Sequence, residues 1–66
     1  MGIDWIAFLK IMAIEERAAQ EKYQVALDAA TDPKIRAMLE KLRDEEEFHA
    51  IILEGEATRI QQALNK

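Results

Sequence analysis

Apolar side chains recur every three or four residues along nearly the whole chain, and one short segment interrupts them. The first row is Ile6, Leu9, Met12 with Ala13, Ala19, Tyr23, Ala26 with Leu27, and Ala30. The second is Ile35, Met38 with Leu39, Leu42, Ile52 with Leu53, Ile60 and Leu64. Spacing of i, i+3, i+4 and i+7 puts such residues on one side of an α-helix. Between the rows lies Ala29-Ala30-Thr31-Asp32-Pro33, the one strong breaker. Asp32 reads as an N-cap and Pro33 as the first helical position, where the missing N–H costs nothing. Asp4 can cap the first helix in the same way. The pattern predicts an all-α chain forming one unit over 1–66, with helix one at about 4–30, a turn at 31–32 and helix two at about 33–64. So short a turn makes an antiparallel two-helix hairpin. Gly55, inside helix two, lowers helix propensity by about 1 kcal/mol and marks a kink or an early end.

Three polar residues intrude on these rows. Glu16 occupies the middle of the first, and Glu46 with His49 the middle of the second. Burying an unpaired carboxylate in a core costs several kcal/mol, so such a group neutralises, finds a partner or binds a metal. Residues at i and i+3 share a helical face, so Glu46 and His49 can offer an oxygen and a nitrogen to one ion. Glu16 is 16 residues before Asp32 and His49 is 17 after it, which brings the two rows' intrusions to similar heights in a hairpin. Taken singly, His49 reads more readily as a hydrogen-bonded core histidine, and Glu46 as part of the solvated charged run Asp44–Glu47. Their coincidence in height with Glu16 favours a metal site.

Composition narrows the setting. Of 66 residues half are hydrophobic and a third charged, with no cysteine. That excludes disulfides, thiolate zinc sites and a rubredoxin-type iron centre. A lone hairpin is a single layer that leaves apolar surface in water, and short chains without a staple seldom fold alone. Association is the remaining remedy, and two hairpins make a four-helix bundle. A twofold dimer would collect four glutamates and two imidazoles, enough for two metal ions bridged by carboxylates. Bundles that carry di-iron or di-manganese centres use a glutamate from each of two helices and Glu-x-x-His from each of the other two. The longest apolar run, WIAFL, is far below the roughly 18 residues of a membrane helix. With no basic leader segment either, the expected location is the cytoplasm. A net charge of −4, with basic residues scattered among acids, argues against nucleic acid as a partner.

Other residues have secondary expectations. Tyr23 is either a core aromatic or a group that hydrogen-bonds a ligand carboxylate or exchanges electrons near the metal. Glu15 and Glu45 border the two rows, as surface acids or as groups that support the ligands or guide iron inward. Trp5 and Phe8 are expected at a bundle end or a subunit contact.

Glu16 followed by Tyr23 seven residues later, and then by Glu46-x-x-His49, resembles the ferritin-like superfamily in its rubrerythrin-like branch. The short two-helix form is most similar to the encapsulated ferritins, over roughly residues 10–55. The resemblance implies a ferritin-like four-helix bundle built from two subunits. It further implies a ferroxidase that oxidises Fe(II) to Fe(III) at a di-iron site, one ion per chain, with Glu16, Glu46 and His49 as ligands and Tyr23 beside them. Manganese or zinc could substitute for iron. Dimers in that family assemble into rings housed within an encapsulin shell, reached through a C-terminal tail or by fusion; this chain stops at Lys66 without such a tail. The chain departs from the family at Ala18, where an acid is usual. The rival readings are a rubrerythrin-like peroxide reductase, disfavoured by the lack of cysteine, and a metal-free dimeric helical interaction module.

Overall fold

A computed structural model describes residues 2–65 as α1 (Trp5–Ala29) and α2 (Pro33–Leu64). Both helices start where their caps dictate. The Asp4 carboxylate accepts a hydrogen bond from the Ala7 amide at 3.1 Å. The Asp32 carboxylate accepts from Lys34 and Ile35 at 2.9 and 3.0 Å, ahead of Pro33 at the first turn. α2 runs through Gly55 without a break, so the early end suggested by that glycine is not found. Added up over so long a helix, packing and hydrogen bonding outweigh one unfavourable propensity.

The two helices pack against each other as an antiparallel hairpin, with cross-contacts that nest outward from the turn. Arg36 reaches Leu27, Arg43 reaches Gln24, and Glu54 reaches Arg17. The sequence offers α1 no glycine C-cap, and no basic residue lies in its last turn. Its end is closed instead from α2. The Arg36 guanidinium donates to the Leu27 and Ala30 carbonyls, both at 2.8 Å, satisfying acceptors that a helix end otherwise leaves open. Charged hydrogen bonds of this kind contribute about 1.5–3 kcal/mol each when part-buried. Arg36→Met, which keeps most of the stem, is therefore expected to destabilise the protein by about 2 kcal/mol. Urea unfolding at fixed protein concentration checks this; an unchanged midpoint would mean the turn holds itself.

The buried residues are Ala13 and Leu27 on α1 and Leu39, Ala50 and Ala57 on α2. They belong to rows with a strict seven-residue repeat: 6, 9, 13, 16, 20, 23, 27 and 30 on α1, and 39, 43, 46, 50, 53, 57 and 60 on α2. Alternating steps of three and four make a coiled-coil seam. The apolar rows read from the sequence therefore need correcting on α2. Ala50 and Ala57, at 0% and 2% exposure, form its deepest points, whereas Ile35, Met38, Ile52 and Leu64 are about half exposed or more. Ile35, Met38, Leu42 and Ile52 fall on a neighbouring row, one residue off the seam and so rotated from it by about 100°. Leu64 lies where α2, with 32 residues against 25, outruns α1.

On α1 a matching lateral row carries Trp5, Phe8, Met12 and Ala19. Trp5 and Phe8 meet edge to face at 5.6 Å and both are exposed. The accessible surface is 5152 Å², against about 4300 Å² expected of a compact monomer of this mass. The excess reflects a 51 Å long hairpin with one helix-deep layer. No helix among the described residues is long and apolar enough to cross a membrane.

Candidate metal centre

Glu16 and Glu46 occupy seam positions, one on each helix, where the rows above would otherwise place apolar side chains. Each is largely shielded, at 24% and 21% side-chain exposure. His49 follows Glu46 by three residues, which on this helix moves it off the seam onto the lateral row of Met38 and Ile52. Its side chain is accordingly 51% exposed, not a core histidine as its place in the apolar row suggests. Its ring still turns inward. Nδ1 lies 3.5 Å from a Glu16 carboxylate oxygen and 3.9 Å from one of Glu46.

One ligand atom from each of the three residues falls within 4.8 Å of the other two. Good hydrogen bonds to a neutral or charged nitrogen are shorter than these contacts. Donors bound about 2.1 Å from one ion stand about 3–4 Å from one another. The three ligand atoms are near enough to converge on one cation after small side-chain adjustments, and none is held to another by a short hydrogen bond. Among the described residues no lysine or arginine comes within salt-bridge distance of Glu16 or Glu46, even though Arg17 adjoins the first. Two shielded carboxylates thus have a half-exposed imidazole as their nearest basic group. Two such carboxylates could hold a divalent cation, which would offset negative charge that a poorly hydrated place stabilises badly. Two oxygens and one nitrogen suit iron, manganese or zinc, and the hard oxygens favour the ferric state.

The remaining sequence candidates stand apart from this trio. Tyr23 is half-buried on the α1 seam, but two turns from Glu16, about 10 Å along the axis. Glu15 and Glu45 are exposed on the lateral rows, Glu45 in line with His49. Neither belongs to the cluster within this hairpin.

The opposite flank of the seam is polar, and the sequence rows did not bring it out. Arg17 grips Glu54 through two of its three guanidinium nitrogens, Nε at 3.2 Å and Nη2 at 2.8 Å, and donates from Nη1 to Gln20 at 3.1 Å. Arg43 donates to Gln24 at 3.0 Å, and Gln24 to Asp28 at 2.8 Å. The hydrogen bonds from Arg17 hold the Glu54 carboxyl below its ordinary range. The small stabilisation this brings is therefore present at neutral pH and fades as pH falls through that lowered value. Only opposite charges 37 positions apart could have signalled the pair. The hairpin consequently has one flank of arginine, glutamine and glutamate, and one that is apolar and carries His49.

Comparisons with family models, with curated proteins and with solved structures return no match for this chain.

Proposed function

We propose that the protein is a ferroxidase of the encapsulated-ferritin kind, working as a homodimer whose two hairpins form a four-helix bundle. The observation that carries this reading is the unneutralised trio of Glu16, Glu46 and His49 at the middle of the hairpin. Its one-sidedness supports the dimer. His49 opens onto the apolar flank, where Met38, Ile52, Trp5 and Phe8 lie about half exposed. A twofold copy on that flank brings a second trio beside the first and also turns Glu15 and Glu45 towards the junction.

In this reading Fe(II) is the substrate. The Glu16 and Glu46 carboxylates bind it and offset its charge, and one or both bridge the twofold axis. His49 supplies the nitrogen that retains the ferrous ion. Each ion gives up one electron, so a pair of sites passes two electrons to dioxygen or peroxide. Glu15 and Glu45 draw iron inward, and Fe(III) leaves for a mineral store. Tyr23 acts from two turns away, in hydrogen bonding or electron transfer. Dimers associate further into a ring, and an encapsulin compartment in the cytoplasm is the setting that the resemblance suggests.

Anaerobic titration with Fe(II), followed by exposure to oxygen and by mass measurement of the assembly, tests the proposal. Binding is expected to saturate near one iron per chain and to drive association, with rapid oxidation on adding oxygen. Undiminished affinity in isolated monomers would sink the shared site, and absence of iron binding would favour the metal-free interaction module.

A further inference from the structure

The chain must align Glu16 with Glu46 and His49 across two helices whose seam is smooth at that level. The fully buried side chains at and beyond the cluster, moving away from the turn, are Ala13, Ala50 and Ala57. Among the larger seam residues, Leu27 and Leu39 nearer the turn are buried, whereas Leu9, Leu53 and Ile60 farther out are only part-buried. Alanine seams bring backbones close but provide shallow knobs, so packing alone resists axial sliding poorly there. Ion pairs beside a helical seam are known to set partner choice and orientation, and one that is inclined to the axis also resists sliding.

We infer that the Arg17–Glu54 ion pair is a positioning strut that sets the axial register of α1 against α2 and so holds Glu16 opposite the Glu46–His49 pair. Its metal consequence rests on the reading above; its effect on register does not. Arg17 is one residue nearer the turn than Glu16, and Glu54 is five residues farther from it than His49. At 1.5 Å per residue the pair spans about 9 Å along the hairpin relative to the level of the cluster. Being inclined, it is stretched directly when α2 slides outward, whereas a level contact would merely swing. An outward slide of one turn, 5.4 Å, carries His49 past Glu16. The two-pronged grip, with Nε and Nη2 on the two oxygens of one carboxylate, also fixes direction as a single ammonium contact would not. Gln20, hydrogen-bonded to Nη1, keeps the guanidinium aimed across the seam. The pair lies on the polar flank, away from His49, so it acts on the site through register and not as a ligand.

The test uses Arg17→Gln and Glu54→Gln, together with the charge swap Arg17→Glu/Glu54→Arg. Cobalt(II) titration, followed by its visible absorption, measures affinity at the trio. A second readout needs no metal. Spin labels on cysteines introduced at Ala7 and Lys34, diluted into unlabelled protein, report the distance between opposite ends of the two helices. Both neutral variants should lose roughly tenfold in cobalt affinity, the scale seen for groups that orient metal ligands. Both should shift or broaden the label distance, with helicity by circular dichroism unchanged, and the swap should restore affinity and distance together. A simple charge effect predicts the opposite pattern: Glu54→Gln weakens cation binding, Arg17→Gln strengthens it, and the label distance stays put. That pattern, or unaltered affinity in both variants, overturns the strut. Should the unmodified protein take up no cobalt, the metal reading fails and the label distance by itself decides the register.

Discussion

His49→Ala and Glu46→Ala are each expected to lower the initial rate of Fe(II) oxidation at least about a hundredfold, because even residues that only orient metal ligands are worth 10–100-fold. Helicity should remain: His49 lies off the seam and is half exposed, and alanine at position 46 continues the small-residue seam that Ala50 and Ala57 already form. Glu15→Ala is the contrasting case. Glu15 is exposed on the lateral row, outside the trio, and its loss should slow oxidation far less. Stopped-flow absorbance under air, with circular dichroism on the same samples, makes the comparison. The informative failure is Glu15→Ala matching Glu46→Ala. Inner ligands and outer acids would then have been assigned the wrong way round, and the dimer would have to bring the lateral row closer to the ions than the seam.

The second large effect concerns Glu16, where stability and metal binding should move in opposite directions. In the apo dimer, Glu16 and Glu46 of both chains would crowd like charges into a poorly hydrated centre, with no lysine or arginine within reach among the described residues. Replacing buried charge with a well-packed apolar side chain is often neutral or stabilising by 1–4 kcal/mol. Glu16→Leu also places an apolar side chain next to Ala13 on the seam. The apo variant is expected to melt about 5 °C or more above the apo wild type, the shift that about 1 kcal/mol produces in a domain of this size. Fe(II) at a hundred times its dissociation constant should stabilise the wild type by about 2.7 kcal/mol and the variant not at all. Anaerobic melting of both proteins, with and without Fe(II), reads all four values. A variant less stable than apo wild type and still stabilised by iron would make Glu16 an ordinary surface acid, and the site would lose its α1 ligand.

Much of this molecule is legible in local sequence because local physics produces it. Asp4, Asp32 and Pro33 each act within one helical turn of themselves, and so the helix starts can be read without knowing any partner. The expected ranges, about 4–30 and 33–64, differ from those observed by one residue at either end of α1. The trio of Glu16, Glu46 and His49 is equally visible, because a polar residue within an apolar row is conspicuous and counting from the turn places the intrusions at similar heights.

What pairing alone decided is which of two adjacent apolar rows on α2 faces α1. Ile35, Met38, Leu42 and Ile52 form as good a stripe as Leu39, Leu53 and Ile60. Hydrophobicity ranks isoleucine above alanine, so the sequence favours burying the former. Close approach of two helices ranks them the other way: Ala50 and Ala57 let the backbones meet, and the bulkier row is left on the flank. His49 goes with that flank, which is why a residue placed in the core by its spacing is half exposed. Arg36 closing α1, and Arg17 reaching Glu54, likewise depend on distances between helices that no periodicity encodes. The sequence by itself determined the two helices, their caps and the three candidate ligands, since each follows from interactions within a few residues. The tertiary structure decided the seam, the orientation of the open flank and the contacts that set register, since these arise only when one helix meets the other.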